Sequence, residues 1–206
     1  MSDYTDLLME FLYTARATFD RTYDKGESYC NRDGKSCGQK SWDGYIEWSK
    51  FFHLSEVVSL DKMINEPLVV PDYHDEDDWN FIHVDGGWQT SFYTSVDYVL
   101  KRMKQQLRFN LLTVVLRPDR EYNNIDVEGY EFVGYDLFDK EFGNSALTNC
   151  GGFDETFSPS DLNDKGLIDD FVKAEDIKKR LLENNPNEHH ADANVIAIWR
   201  HMVIGR

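Results

Sequence analysis

Apolar residues recur along this chain with two different periods, and the changes of period divide it into elements. Leu7, Leu8, Phe11, Leu12, Ala15 and Phe19 lie at spacings that gather side chains on one face of an α-helix. Asp3 and Asp6 sit where the positive end of a helix dipole favours carboxylates. An amphipathic N-terminal helix is therefore expected, fading after Tyr23. Between Asp24 and Gly44, four glycines (Gly26, Gly34, Gly38, Gly44) with Asn31, Asp33 and Ser36 predict a long loop. Tyr45, Trp48 and Phe52 then resume helical spacing, and a short helical turn is expected from Leu60 to Ile64, ahead of Pro67.

Beyond Pro67 the pattern turns to strands. Leu68-Val69-Val70 is a short extended segment between prolines, and Asp75-Glu76-Asp77-Asp78 reads as a solvated loop. Phe81 to Val84 predicts a strand, broken at Asp85-Gly86-Gly87. Ser95 is placed to cap a helix carrying Val96, Val99, Leu100, Met103 and Leu107 on one face. Leu111 to Leu116 and Tyr130 to Phe138 are the next strands, with Asn123-Asn124 suited to a hairpin turn between them. Ser158-Pro159-Ser160-Asp161 has the chemistry of a helix start. The following helix turns Ala174, Ile177, Leu181 and Leu182 inward. Asn194 to Ile204 closes the chain with a nearly continuous apolar run, the signature of a strand covered on both faces.

This order predicts an α+β fold: an antiparallel or mixed sheet with helices on one face. From residue 80 to 204 the elements run strand, helix, strand, strand, helix, strand, the βαββαβ order of a ferredoxin-like core. A single domain over 1–206 is expected, with a helical N-terminal extension (1–66, holding the 24–44 loop) on a sheet core (67–206).

Charge changes the picture most. The 206 residues carry 38 acidic and 22 basic side chains, a net charge of −16. Such a surface repels nucleic-acid phosphates and anionic lipid and attracts a basic protein. A hydrophobic fraction of 41% is that of a folding chain. Cys30, Cys37 and Cys150 are odd in number and unevenly spaced, which argues against a disulfide framework. With neither a signal-peptide pattern nor an apolar run of the roughly 20 residues needed to span a bilayer, a cytoplasmic, non-membrane protein is expected.

Candidate chemistry is sparse, and no cofactor or metal is predicted. Gly134 to Phe138 leads into a glycine-rich loop holding Cys150, whose thiolate would need a histidine nearby. His189, His190 and His201 are the candidates, with Asp136 or Asp192 to orient one of them, so the nearest approach to a catalytic set is Cys150, His190 and Asp136. Asp161 to Val172 overlays part of a calcium loop but puts Lys165 and Val172 at ligand positions, which leaves a plain turn as the better reading. His189-His190-Ala191-Asp192 could supply metal ligands together with His201 if it forms a loop. Neighbouring histidines in a strand point to opposite faces, however, and a surface pair before a strand is the better reading. The Cys30/Cys37 pair lacks a matching second pair. The reading that remains is a non-enzymatic interaction protein, of the immunity or inhibitor kind, that neutralises or regulates a basic partner. Its expected contact residues are Asp75, Glu76, Asp77, Asp78 and Trp79, with Asp161, Asp164, Asp169 and Asp170. The competing expectations are a cysteine hydrolase or transferase centred on Cys150 and a small-molecule-binding regulatory domain with a pocket at Tyr135, Trp199 and the 144–153 loop.

Overall fold

The computed structural model describes residues 11–19, 45–62, 64–72, 74–85, 90–140, 142–148, 156–184, 186–187 and 190–205. The predicted 24–44 loop lies outside them, as do Gly86 and Gly87, Cys30, Cys37, Cys150 and His189. Six strands make one antiparallel sheet: β1 (Leu12–Ala17), β2 (Ile82–Asp85), β3 (Ser91–Tyr93), β4 (Phe109–Leu116), β5 (Tyr130–Phe138) and β6 (Asn194–His201), in the spatial order β2-β3-β1-β4-β6-β5. Among the described residues four helices accompany it: α1 (45–51), α2 (Glu76–Phe81), α3 (Val96–Arg102) and α4 (Phe171–Asn184). The α+β class and the antiparallel sheet agree with the pattern of the sequence.

The N-terminal helical extension does not. Residues 12–17 form β1, paired with β4 from Leu12↔Val114 to Ala17↔Phe109, in the middle of the sheet. Leu12, Thr14 and Arg16 point to one face, while Tyr13, Ala15 and Ala17 point to the other. Both faces are covered, so no apolar–polar alternation marks this strand, and the spacing of Leu12 and Ala15 imitates a helix. Strand pairing with β3 and β4 overrides that local spacing.

The ferredoxin-like order also differs from what is found. A split βαβ core sets the two strands joined by each helix parallel, with one strand between them. Here α4 joins β5 to β6, which are antiparallel immediate neighbours. Asn123 and Asn124 form a turn, yet β4 and β5 do not pair across it; both pair with β6, which slots between them. The apolar run of β6 is buried from Val195 to Arg200 and needs neighbours at both edges, a demand that a β4–β5 hairpin would leave unmet.

One face of the sheet carries the helices. Tyr135, Leu137, Val115, Val195, Ala197 and Trp199 pack with Tyr45 and Trp48 of α1 and with Ala174, Ile177 and Leu181 of α4. Farther along the same face, Ala15, Tyr93 and Leu111 pack with Tyr98 and Val99 of α3. Ser95 caps α3 by accepting from the Tyr98 amide, as its sequence position predicts. The helix stops at Arg102, which leaves Leu107 at 99% exposure rather than on its apolar face. The opposite face, with Leu12, Phe92, Leu112, Val114, Ile196 and Ile198, is covered by irregular chain that contributes Val58, Leu60, Phe142 and Leu167. On that face lies a group of polar and charged side chains.

Candidate functional site

The acidic run at 75–78 is not a loop. Asp75 is the N-cap of α2, accepting from the Asp77 amide at 3.0 Å, and Glu76, Asp77 and Asp78 fill the first turn, where the helix dipole stabilises them. Asp78 is buried and accepts from the Asp72 amide. Arg102, at the end of α3, lies 3.1 Å from the Asp75 carboxylate and 3.8 Å from those of Asp72 and Asp78. Two of the predicted contact residues, Asp75 and Asp78, are thus committed to holding α2 in place. Glu76 and Asp77 remain exposed, and Trp79 beside them has 62% of its surface in solvent.

The second acidic stretch is taken up by local structure. Asp161 closes a capping box with Ser158 at the 3-10 turn Pro159–Asp161 and pairs with Lys173 at 3.3 Å. Burial would raise its pKa, but the Ser158 amide and hydroxyl and the Lys173 ammonium together hold it below the usual carboxylate range. Asp164 accepts from Lys165 and Ser55, which hold it low as well. Asp169 accepts from the Asn163 carboxamide, and Asp170 accepts from the Lys173 amide at the start of α4. The helix expected directly after Ser158 therefore begins at Phe171, and Asp170 rather than Asp161 is placed to cap it.

Cys150, the centre of the catalytic candidates, lies outside the described residues. His190 lies just before β6 and His201 ends it, so a strand roughly 25 Å long separates them. The His201 imidazole Nδ1 accepts from the amides of Val203 and Ile204. Asp136, 1% exposed, accepts from the Ser145 hydroxyl at 2.5 Å and from the Leu137 amide at 2.8 Å, and His190 is not among its partners. Tyr135 and Trp199, expected to line a ligand pocket, are fully buried core side chains, with Tyr135 Oη accepting from the Tyr122 amide.

Around Asp136 the structure gathers residues that sequence reasoning missed. Arg16 of β1 is wholly buried on the sheet face opposite the helices and donates to the Asn65 carbonyl (3.2 Å) and to Thr90 Oγ1 (2.6 Å). Thr90 in turn donates to the Leu60 carbonyl, and Asn65 joins the Ser59 amide to the Ala17 carbonyl. Asp61, also wholly buried, accepts from Thr148 Oγ1 at 3.0 Å. Burial pulls the Arg16 pKa down to about 10, although Asp61 and then Asp136 hold it up, and Arg16 stays a cation at neutral pH. Burial likewise pushes Asp136 up to about 7, with the Asp61 charge adding to the rise; the Ser145 hydroxyl and the Leu137 and Leu60 amides hold it back. Asp136 Oδ2 has no hydrogen bond of good geometry among the described residues. The network ties β1 and β5 to the segments 59–65 and 145–148. The helical reading of residues 7–19 names only the apolar members of the segment, so nothing in the sequence singles out Arg16.

Among the described residues no three His, Cys, Asp or Glu side chains are grouped to hold a metal ion. No described helix is long and apolar enough to cross a membrane. Comparison with protein-family models, with curated proteins and with solved structures returned no match.

Proposed function

We propose that this chain is a non-enzymatic interaction protein that binds a basic protein partner through the exposed side of α2, and so neutralises or regulates it. The observation that carries this reading is the combination on one short, firmly capped helix of two exposed carboxylates, Glu76 and Asp77, with the exposed indole of Trp79. An aromatic anchor ringed by like charge is the composition of an electrostatically steered contact: the indole supplies buried area, and the carboxylates supply approach rate and selectivity. Arg102 preorganises this face, because it ties Asp75 and Asp78 inward and leaves the outer pair to a partner. The net charge of −16 disfavours nucleic acid as that partner.

Affinity capture from a cell extract at low salt, with bound proteins identified by mass spectrometry, tests this. Basic proteins retained by the wild type should be lost from Glu76→Gln/Asp77→Asn/Trp79→Ala and kept by a control neutralised on the β4–β5 connection, Glu121→Gln/Glu128→Gln. The captured interaction should weaken by about tenfold or more between 0.05 and 0.5 M NaCl. Retention of the same proteins by both variants, or insensitivity to salt, removes α2 as the contact site.

A further inference from the structure

Because β6 runs antiparallel between β4 and β5, the C-terminal ends of β4 and β5 and the start of β6 meet at one end of the sheet. A groove of about 430 Å³ opens there against α4. Four cations line it, Arg117, Lys140, Lys178 and Lys179, against two carboxylates, Glu175 and Asp192. That balance is the reverse of a chain carrying −16 overall. Arg117 and Lys140 form no ion pair among the described residues. Among the described residues the two α4 lysines pair only along their own helix, Lys178 with Glu175 at 3.2 Å and Lys179 with Glu183 at 3.8 Å, in solvent-screened contacts that hold an ammonium weakly.

The rim of this groove is preorganised. Arg117 (φ 52°) and Phe142 (φ 55°) both adopt left-handed backbone, which residues with side chains hold only where their surroundings impose it. The two meet, with the Arg117 guanidinium 5.8 Å from the centre of the Phe142 ring. Arg117 Nε also donates to Asn194 Oδ1 at 2.7 Å, and the Asn194 amide group reaches the Asp139 carbonyl at 3.3 Å. The Asp139 carboxylate accepts from the amides of Gly143 and Asn144, which fixes the turn that presents Phe142. The guanidinium is therefore held by its Nε and its face, while its Nη groups make no hydrogen bond among the described residues. A planar fork whose two Nη groups are unengaged among the described residues, flanked by ammonium groups, suits a tetrahedral dianion. Leu182 adds apolar wall beside it.

We propose that this groove binds the phosphate group of a small phosphomonoester, with Arg117 gripping two phosphate oxygens, Lys140 and the α4 lysines balancing the charge, and the organic part resting on Leu182. Titration calorimetry on the full chain with glycerol 3-phosphate and, separately, inorganic phosphate tests it, at ionic strength matched with NaCl. Saturable binding is expected, weakened by about tenfold or more in Arg117→Gln and in Lys140→Gln/Lys179→Gln. The lysine pair alters only exposed side chains, so it decides the matter even if the arginine variant folds poorly. Tighter binding of glycerol 3-phosphate than of inorganic phosphate assigns the site to the monoester, and equal binding assigns it to the free anion. Failure of both probes to saturate, or undiminished affinity in the lysine pair, overturns the proposal.

Discussion

Asp136 concentrates the chemistry of the interior. Its carboxyl is buried in the sheet face opposite the helices, near the Arg16 cation and the Asp61 carboxylate, and burial raises its pKa to about 7. In the unfolded chain the same group titrates near the ordinary carboxylate value, about 3.9. Between those two values the folded state binds the proton more tightly, so folding stability is greatest below the unfolded pKa and falls as pH rises through about 7. Urea denaturation of the wild type from pH 5 to 8 should show a loss on the order of 2–4 kcal/mol over that interval. Asp136→Asn, which keeps an acceptor for Ser145 and cannot ionise, should flatten the slope. A variant with the wild-type slope would show that another group titrates there. Asp136 was visible in the sequence as a polar residue inside an apolar strand, whereas Asp61 and Arg16 carried no such mark, because their burial depends on which segments cover that face.

At the scale of elements, the strand boundaries that were legible are those with β-branched and aromatic residues between turn residues: β5 runs over the predicted residues, Tyr130–Phe138. What the pattern could not show is the kink inside it. The pairing with β6 shifts between Phe132 and Gly134, and Gly134 sits at φ +138°. A Cβ there would stand 2.6 Å from Leu167 Cβ and 3.0 Å from the Ile168 carbonyl oxygen, because the segment that covers the edge of β5 presses directly on the glycine. Tyr135 and Ile168 exchange backbone hydrogen bonds of 2.7 and 3.0 Å immediately beside it. Gly134→Ala should therefore cost about 2 kcal/mol or more, through steric overlap and a disfavoured backbone together. Its urea midpoint, compared with that of an alanine at the exposed Asn124, measures this. A loss below about 0.5 kcal/mol would mean that the covering segment yields freely. At α2 the reverse holds: four consecutive acids read as a solvated loop, yet they begin a helix. Their helix is stabilised by an N-cap and by Arg102 from a separate element, and only the first of these is local in sequence.

Across the whole molecule, charge is the dominant property. A chain at −16 repels itself when compact, and its surface ion pairs are largely exposed and weak. Added salt screens the repulsion over a Debye length of about 10 Å at 0.1 M and shorter above it. The thermal midpoint should therefore rise between 0.02 and 0.5 M NaCl, over the range in which binding of a basic partner weakens. A midpoint that falls with salt would show that ion pairs such as Arg102 with Asp75 (3.1 Å) and Arg200 with Glu56 (2.7 Å) and Glu131 (2.8 Å) outweigh the net repulsion. The anionic character is also uneven, since the cation-lined groove at α4 and the acidic side of α2 belong to the same molecule, an asymmetry that net charge conceals.

The sequence by itself determined the α+β class, the extent of β5, the cap of α3, the interior place of β6 and three of the four inward residues expected of α4, because each follows from spacing, turn chemistry or unbroken apolar character within one segment. The fourth, Leu182, is 47% exposed. Only the tertiary structure decided that residues 12–17 are a strand, that β6 separates β4 from β5, and that Arg16, Asp61 and Asp136 share one buried network. Those outcomes depend on which edges and faces meet. A strand covered on both sides loses the alternation that would announce it, and a buried charge is recognisable only once the groups that surround it are in place.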